Sequence, residues 1–491
     1  MSKPLRDAKG RFVAKSTPAP ARRPVQVSVR NYVAGAIDRL TNDWYSGSMT
    51  ANEAIEGRFR TIRNRARDLE RNNALVRRFL QMVASNVFGP HGIRMQSEAT
   101  EPDGRPDNFA RTAVERWWKE WGRVGVCTLD GRLGWPEVEA MLLRRVLVDG
   151  EALLELVPGA NNGHGFAVRV LDADLLDESL NQDLGNGRRV RAGVEIEEAT
   201  ERPIAYHMLT DVDKRYGSHR VRVAADRILH LYFQERPHQY RGVTWLASTM
   251  ERGRMLDGFE QAAVVAARVG AGKMGFLKPD AESGYTGEGK DPDGWTRTSA
   301  EPGSIEELPM GMEFQAWDPA YPNTDFEAFS QEIKRGIASG LGVSYVGLAN
   351  DLEGVSYSSI RQGELADRDY WRSLQQYCIR HISERVFPEA LRMGLTMGMV
   401  GNLPVAKFDK FAAVRWMGRG WEWVDPLKEI QAAEHAVRLG VQSRMDIAAG
   451  KGLDLEEILK RIKLEQDLAA ELGVDIGGIK ATQQQPIAEN V

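Results

Sequence analysis

The chain has 491 residues, 42% of them hydrophobic and 27% charged, with a formal net charge of −4 at pH 7. That length gives room for about three domains around at least one large core, and the balance excludes a protein that coats DNA with its whole surface. Cys127 and Cys378 are too few for a disulfide framework and too far apart for a metal knuckle.

Charge is unevenly spread. Residues 1–30 carry eight Lys or Arg against one acid, Asp7, together with Pro18, Pro20 and Pro24. Few large apolar groups accompany them, so residues 1–39 read as a basic disordered tail. No apolar core follows the charges, so it is not a secretory signal. Residues 55–88 follow as helix dense in arginine, including Arg58, Arg60, Arg63, Arg65, Arg67, Arg71, Arg77 and Arg78, with Leu69, Leu75, Val76, Leu80 and Val83 as the apolar face. Two readings fit. The arginines pair with Glu56, Asp68, Glu70 and other acids on a solvated helix, or they serve a subunit interface, where bidentate pairing favours arginine.

Arg111–Trp121 forms a second helix with Trp117, Trp118 and Trp121 on its core side, and Trp135-Pro136 opens a third from Glu137 to about Val148. From Glu151 the period falls to two. Strands are predicted at 152–156, 167–171, 194–196, 204–208 and 227–233, with 159–165 and 181–189 as turn-rich breaks. Thr244 is a good N-cap for a long helix of roughly 25 residues and ~37 Å. Its stripe would be Leu246, Met250, Phe259, Ala263 and Ala266.

Residues 271–312 are rich in Gly and Pro and read as a small loop-and-strand module. A helix returns at Phe326–Leu341, with Phe326, Phe329, Ile333 and Ile337 in register, followed by a loop and a long helix from Tyr357 to about Phe387. A tryptophan-rich link leads to three C-terminal helices begun by Pro426, Ser443 and Asp454. The last dozen residues read as frayed. No run approaches the ~18 apolar residues of a membrane helix; the nearest, Ala262–Ala267, is stopped by Arg268.

The chain shows no catalytic or cofactor pattern. Val269-Gly270-Ala271-Gly272-Lys273-Met274 lacks the first glycine of a phosphate loop, has Met274 where Ser or Thr would hold magnesium, and follows a helix rather than a strand. Gly342-Val343-Ser344-Tyr345-Val346-Gly347 is one residue too long for a nucleophile elbow. Asp172-Ala173-Asp174 and Asp211-Val212-Asp213 read as turn formers, and the eight histidines have no metal-ligand spacing. No metal, cofactor or catalytic residue is expected.

Several stretches carry a family likeness: Arg65-Ala66-Arg67-Asp68-Leu69-Glu70-Arg71-Asn72-Asn73, Asn86-Val87-Phe88-Gly89-Pro90-His91-Gly92-Ile93, Asp149-Gly150-Glu151-Ala152, and Arg236-Pro237 with Gln239 and Arg241-Gly242-Val243-Thr244-Trp245-Leu246-Ala247. Later come Leu341-Gly342-Val343-Ser344-Tyr345, Tyr357-Ser358-Ser359 with Arg361, and Trp421-Glu422-Trp423-Val424-Asp425-Pro426 with Lys428-Glu429. In this order, over about residues 40–475, the chain resembles the lambda-like portal proteins of tailed bacteriophages.

The resemblance implies an α+β portal fold in a ring, usually of 12 subunits, at one capsid vertex. Such a ring is assembled in the host cytoplasm and conducts double-stranded DNA during packaging, retention and ejection. It also implies docking of terminase, a head-tail connector, and major capsid and scaffolding proteins, with no membrane partner. Residues 40–242 would be the wing, 243–270 and 326–341 the stem helices, and 271–325 the clip. Residues 342–357 would be the tunnel loop, 358–425 a long helix returning to the wing, 426–475 the crown, and 476–491 a frayed tail.

Asn350, Asp351 and Glu353 would then face DNA from the tunnel loop, and no Lys or Arg lies between Gly342 and Ile360. Duplex DNA carries one negative charge per about 1.7 Å, so acids at a constriction keep it mobile where a basic bore would hold it. Lys334 and Arg335 would touch phosphates weakly from the second stem helix or form inter-subunit ion pairs. Arg65, Arg67, Arg71, Arg77 and Arg78 would lie at the subunit interface. Two other readings stay open: a structural head-assembly adaptor without a channel, and a nucleic-acid-processing packaging enzyme.

Overall fold

The computed structural model describes residues 8–10, 47–211, 219–271, 275–279, 312–316, 326–353, 356–421 and 426–474. The chain divides into Met1–Thr50 and Ala51–Val491. In the first unit only a turn at 8–10 and residues 47–50 are described, so the basic tail expected at 1–39 lies almost wholly outside the described residues, as do 476–491, Asp213 and most of 271–325.

The second unit opens with α1 (Ala51–Ile55), α2 (Phe59–Asn72) and α3 (Ala74–Val83). The arginine-dense stretch is therefore broken twice. Gly57 takes φ +71°, and Asn73 turns extended so that its side chain accepts from the Val76 amide and caps α3. A π turn at Ala84–Phe88 ends α3, then β1 (Arg94–Ser97), α4 (Asn108–Trp121) and α5 (Trp135–Asp149) follow. Strands β2 (Glu151–Ala160), β3 (Gly165–Leu171), β4 (Gln182–Gly185), β5 (Arg188–Arg191), β6 (Val194–Glu197), β7 (Pro203–Leu209), β8 (Arg220–Ala224) and β9 (Ile228–Tyr232) complete the α+β body.

Five of these were legible as alternating runs. β4 and β5 occupy the stretch read as a turn-rich break. They are short polar strands, β4 exposed throughout and β5 burying only Val190, with no apolar alternation to announce them. All pairings are antiparallel, in a three-stranded sheet β3-β2-β9 and a five-stranded sheet β4-β5-β6-β7-β8.

β2 is the hinge of the body because both its faces are covered. The period of two sends Ala152, Leu154 and Leu156 into the main core with Trp117, Trp121, Leu142 and Phe387, and sends Leu153 into a second core with Val194, Ile196, Tyr206 and Ile228. Glu151 and Glu155 share the face of Leu153, which is how carboxylates come to lie inside the body. The three tryptophans of α4 are core, as expected: Trp118 and Trp121 stack at 4.8 Å.

The long helix α6 (Met250–Ala271) begins five residues later than a helix capped by Thr244 would. Thr244 does cap, but it caps a 3-10 turn at Trp245–Ser248 by accepting from the Leu246 amide. At 22 residues α6 spans ~33 Å. Leu246 is fully buried in that turn instead of on the helix stripe.

β10 (Gly275–Pro279) and β11 (Met312–Ala316) pair antiparallel beyond α6, and α7 (Phe326–Leu341) returns as expected. α8 (Tyr345–Ala349) lies within the stretch expected to be loop. The predicted single helix 357–387 is divided into α9 (Tyr357–Cys378), a π turn at Ile379–Ser383, and α10 (Glu384–Thr396), which continues past Pro388. Pro388 has no amide to give the Glu384 carbonyl, so α10 passes it one bond short, and the wide turn lies just upstream. Its last residue, Ser383, donates at 2.8 Å to Glu139, whose carboxyl burial pushes up to about 8.

α11 (Phe408–Ala412) and β12 (Val414–Met417), paired with β1, close the body. The C-terminal helices are α12 (Pro426–Arg438), α13 (Arg444–Gly450) and α14 (Leu455–Leu472), with Ser443 and Asp454 capping the last two as expected.

Candidate functional site

Three features meet where the body hands the chain to α6. The first is a buried charge network. α5 ends at Gly150, left-handed at φ +89°, and this swings Glu151 into the interior at the first residue of β2. Opposite it, the segment after β9 brings in Arg241. The guanidinium forks over the carboxylate, with Nε 2.7 Å from Oε2 and Nη2 on Oε1, and Nη1 donates at 2.6 Å to the Ala192 carbonyl. Arg63 of α2 adds Nη2 at 2.8 Å from Oε1, and His230 adds Nε2 at 2.9 Å from Oε2.

Burial alone would raise the Glu151 carboxyl, but the charge of Arg241 and the hydrogen bonds from Arg241 and His230 hold it well below the usual carboxylate range. Burial also lowers the His230 imidazole, so it sits there neutral. A second ring of acids takes the remaining donors. Arg67 reaches Asp149 and Asp174 at 2.7 Å and Asp172 at 2.9 Å, and Arg63 also binds Asp174. Asp172 caps the turn at 173–175 as a turn former should, and serves this network too.

The second feature is the helix pair. Trp245 Nε1 donates at 3.1 Å to the Leu341 carbonyl, tying the start of α6 to the end of α7. Gly336 and Gly340 admit Arg252 and Thr249 so closely that a β-carbon on either glycine would collide with them. Farther along, Phe259 stacks on Phe326 at 5.2 Å and meets Phe329 edge-on. The helices therefore run antiparallel. Asn73 anchors the pair to the body by donating at 2.9 Å to Asp257. Met255, Val264, Val265 and Phe329 remain exposed on it.

The third feature is the acidic turn after α8. Ser344 caps α8, and its amide and hydroxyl both donate to Asp367 of α9, at 3.0 and 2.6 Å. Asn350 ends the helix in the left-handed conformation. Asp351 is not simply solvated: Tyr345 donates its hydroxyl at 2.7 Å and the Glu353 amide donates at 3.1 Å. The tyrosine hydrogen bond first, then that amide, lowers its carboxyl below the usual value. Glu353 is exposed, and residues 354–355 lie outside those described.

The other expected site residues are scattered. Lys334 pairs with Glu260 of α6 at 3.1 Å, and Arg335 lies over the Tyr345 ring at 5.4 Å with Glu332 at 3.6 Å. Arg67 is committed to the network. Arg78 donates at 3.3 Å to the Gly347 carbonyl. Arg65, Arg71 and Arg77 are exposed, with no ion pair among the described residues. Glu70 pairs with Arg144 and Arg145 of α5, not with the arginines of its own helix.

Glu151, His230 and Arg241 were not singled out as a unit from the sequence. The available signal was two carboxylates, Glu151 and Glu155, on one face of an otherwise apolar strand. Among the described residues no acid, His or Cys group forms a metal site, and no helix is long and apolar enough to cross a membrane.

A family model, "Phage portal protein, lambda family", matches residues 38–375. The chain is 33% identical over 472 residues to "Probable portal protein" of Halomonas phage phiHAP-1, covering 94% of this chain and 91% of that protein. It is 22% identical over 456 residues to "Portal protein B" of Escherichia phage lambda, covering 84% and 85%. A chain in the neck of an empty gene transfer agent particle superposes over 79% of this chain and 93% of its own length, at 13% identity and a TM-score of 0.41. The chain belongs to the lambda family of phage portal proteins.

Proposed function

We propose that copies of this chain form a ring at one capsid vertex and that double-stranded DNA passes along its axis during packaging, retention and ejection. The observation that carries the reading is the antiparallel pair α6 and α7. It is clamped at one end to the α+β body through Asn73 and Trp245, bears a strand pair at the other, and is followed by an acidic turn with no Lys or Arg from Gly342 to Ile360.

On this reading residues 40–242 are the wing, α6 and α7 the stem, 271–325 the clip and 426–475 the crown. The turn at Asn350–Glu353 faces DNA, and Glu353 carries most of that role because Asp351 is held by Tyr345. Exposed apolar side chains on the stem (Met255, Val264, Val265, Phe329) and crown (Leu464, Leu468, Leu472) suit burial between neighbouring copies. Twelve subunits are expected from the family, with terminase and the connector at the clip and the virion as destination. The chain supplies no fuel; a separate motor drives the DNA.

Electron microscopy of the purified full-length protein tests this. Rings with an axial hole wide enough for a duplex, and no ATP hydrolysis by the chain alone, are the expected result. Solid particles without a hole, or robust hydrolysis, would remove the reading.

A further inference from the structure

A cavity of about 520 Å³ opens among β7, β9, the segment 234–240 and the start of α10. Its size lies in the range of small-molecule sites, about 300–1,000 Å³. One wall is aromatic: Tyr206 of β7 meets His230 edge-on at 5.4 Å, and His230 lies 4.8 Å from the Tyr232 ring.

The polar groups around it are not balanced. The carboxylate lining it, Glu201, already binds His238 Nδ1 at 2.6 Å, the Tyr240 hydroxyl at 3.1 Å and Arg189 at 3.4 Å. His230 is committed to Glu151. Arg202 and Arg385 also line the cavity, yet neither guanidinium has an ion pair or side-chain hydrogen bond among the described residues. Tyr206 is 4% exposed and lines the cavity, and its hydroxyl makes no hydrogen bond among the described residues. Burial keeps that hydroxyl protonated, as a donor.

We propose that this cavity binds a mononucleotide or the phosphorylated end of a DNA strand. Arg202 and Arg385 take the phosphate, which guanidinium donors match in charge and geometry. Tyr206 donates a further hydrogen bond, and Tyr232, the half-buried ring of the aromatic wall, receives the base by stacking, which tolerates any base. A bare inorganic anion would leave the aromatic wall idle, and an uncharged aromatic ligand would leave both guanidinium groups without a counter-charge. The proposal stands apart from the ring reading, since it concerns a cavity within one chain.

The test is equilibrium dialysis of the purified full-length protein against deoxyadenosine monophosphate, deoxyadenosine, inorganic phosphate and a 5′-phosphorylated oligo(dA). Saturable binding of the monophosphate at about one per chain is expected, with deoxyadenosine and phosphate each weaker by about tenfold or more, because each lacks half of the recognition. Binding of the oligonucleotide at its 5′ end assigns the source to DNA; its exclusion assigns it to free nucleotide.

Arg202→Ala with Arg385→Ala should weaken the monophosphate at least about tenfold, and Tyr206→Phe several-fold, with melting temperature and particle mass unchanged. Both arginines are exposed, so their loss leaves the cores intact. Undiminished binding by the double variant, no saturable binding, or phosphate alone binding as tightly as the monophosphate would each overturn the proposal.

Discussion

Arg241 grips Glu151 with both ends of its guanidinium while each side chain is almost wholly removed from solvent, at 1% and 0% exposure. The pair joins two stretches 90 residues apart, and Arg63 and His230 close the remaining sides of the carboxylate. A buried charge that loses its partner costs about 3–5 kcal/mol, because desolvation is no longer offset. Glu151→Gln leaves two buried guanidinium groups facing a neutral amide and should cost about that much in a denaturant melt at pH 7.

The sign of the pH dependence follows from the same groups. His230 and Glu151 both have folded pKa values below their unfolded ones. Each therefore contributes stability that is complete above the unfolded value and is lost as pH falls, from about 6.5 for the imidazole and about 4.3 for the carboxyl. The wild type should weaken steadily in that window, and Glu151→Gln should show a shallower slope below pH 4.3. Equal slopes would remove Glu151 from the account.

Gly242 makes a second prediction, about backbone rather than charge. A β-carbon at Gly242 would run into the carbonyl of Gly150 and lie 2.6 Å from Tyr232 Cβ, neither of which can swing away. Gly242→Ala should therefore destabilise by about 1–3 kcal/mol or abolish folding. Gly258, inside α6 with nothing within 4 Å of the same position, is the control. Gly258→Ala should stabilise by about 0.5–1 kcal/mol through helix propensity. Thermal melts of the two variants shifting in the same direction would sink the argument.

These contacts mark what the sequence could and could not disclose. Alternation exposed β2, β3, β6, β7 and β9, and cap residues announced α13 and α14, because those signals are local. β4 and β5 escaped because short exposed strands owe their pairing to neighbours. Thr244 was recognised as a cap, but whether a 3-10 turn or an α-helix follows depends on Leu246 being drawn into the core. The stretches Asp149–Ala152 and Arg241–Ala247 were each visible as family-like. That Gly150 and Gly242 pack backbone to backbone, and that Glu151 and Arg241 pair beside them, is long-range information. Conversely, the arginines of α2 and α3 look alike in sequence, and only burial separates Arg63 and Arg67 from Arg65, Arg71 and Arg77.

That separation gives a prediction about assembly. If the exposed arginines pair with a neighbouring copy, Arg77→Ala should weaken the ring without touching the fold, since the Arg77 guanidinium has no ion pair among the described residues. Interface arginines that act as anchors cost about 2 kcal/mol or more when truncated. Light scattering of Arg77→Ala with Arg78→Ala should show a shift toward monomer. Arg78→Ala alone also removes the bond to Gly347, so the single Arg77 variant is the cleaner arm. Unchanged mass in both would end the role of this surface as an interface.

The acidic turn supports the most direct test of the DNA path. Asp351 is held by Tyr345 and the Glu353 amide, whereas Glu353 reaches solvent without such restraint. Replacing both by lysine puts two cations where the chain offers none between Gly342 and Ile360, so each can bind phosphate and release counterions. Packaging by Asp351→Lys with Glu353→Lys should slow several-fold, or DNA retention should change, while the ring stays intact. Because counterion release weakens with salt, the defect should shrink as ionic strength rises. Glu353→Lys alone should reproduce most of it, and Tyr345→Phe, which only frees Asp351, should not. Packaging and retention at wild-type levels in the double variant, at low salt, would take this turn off the DNA path.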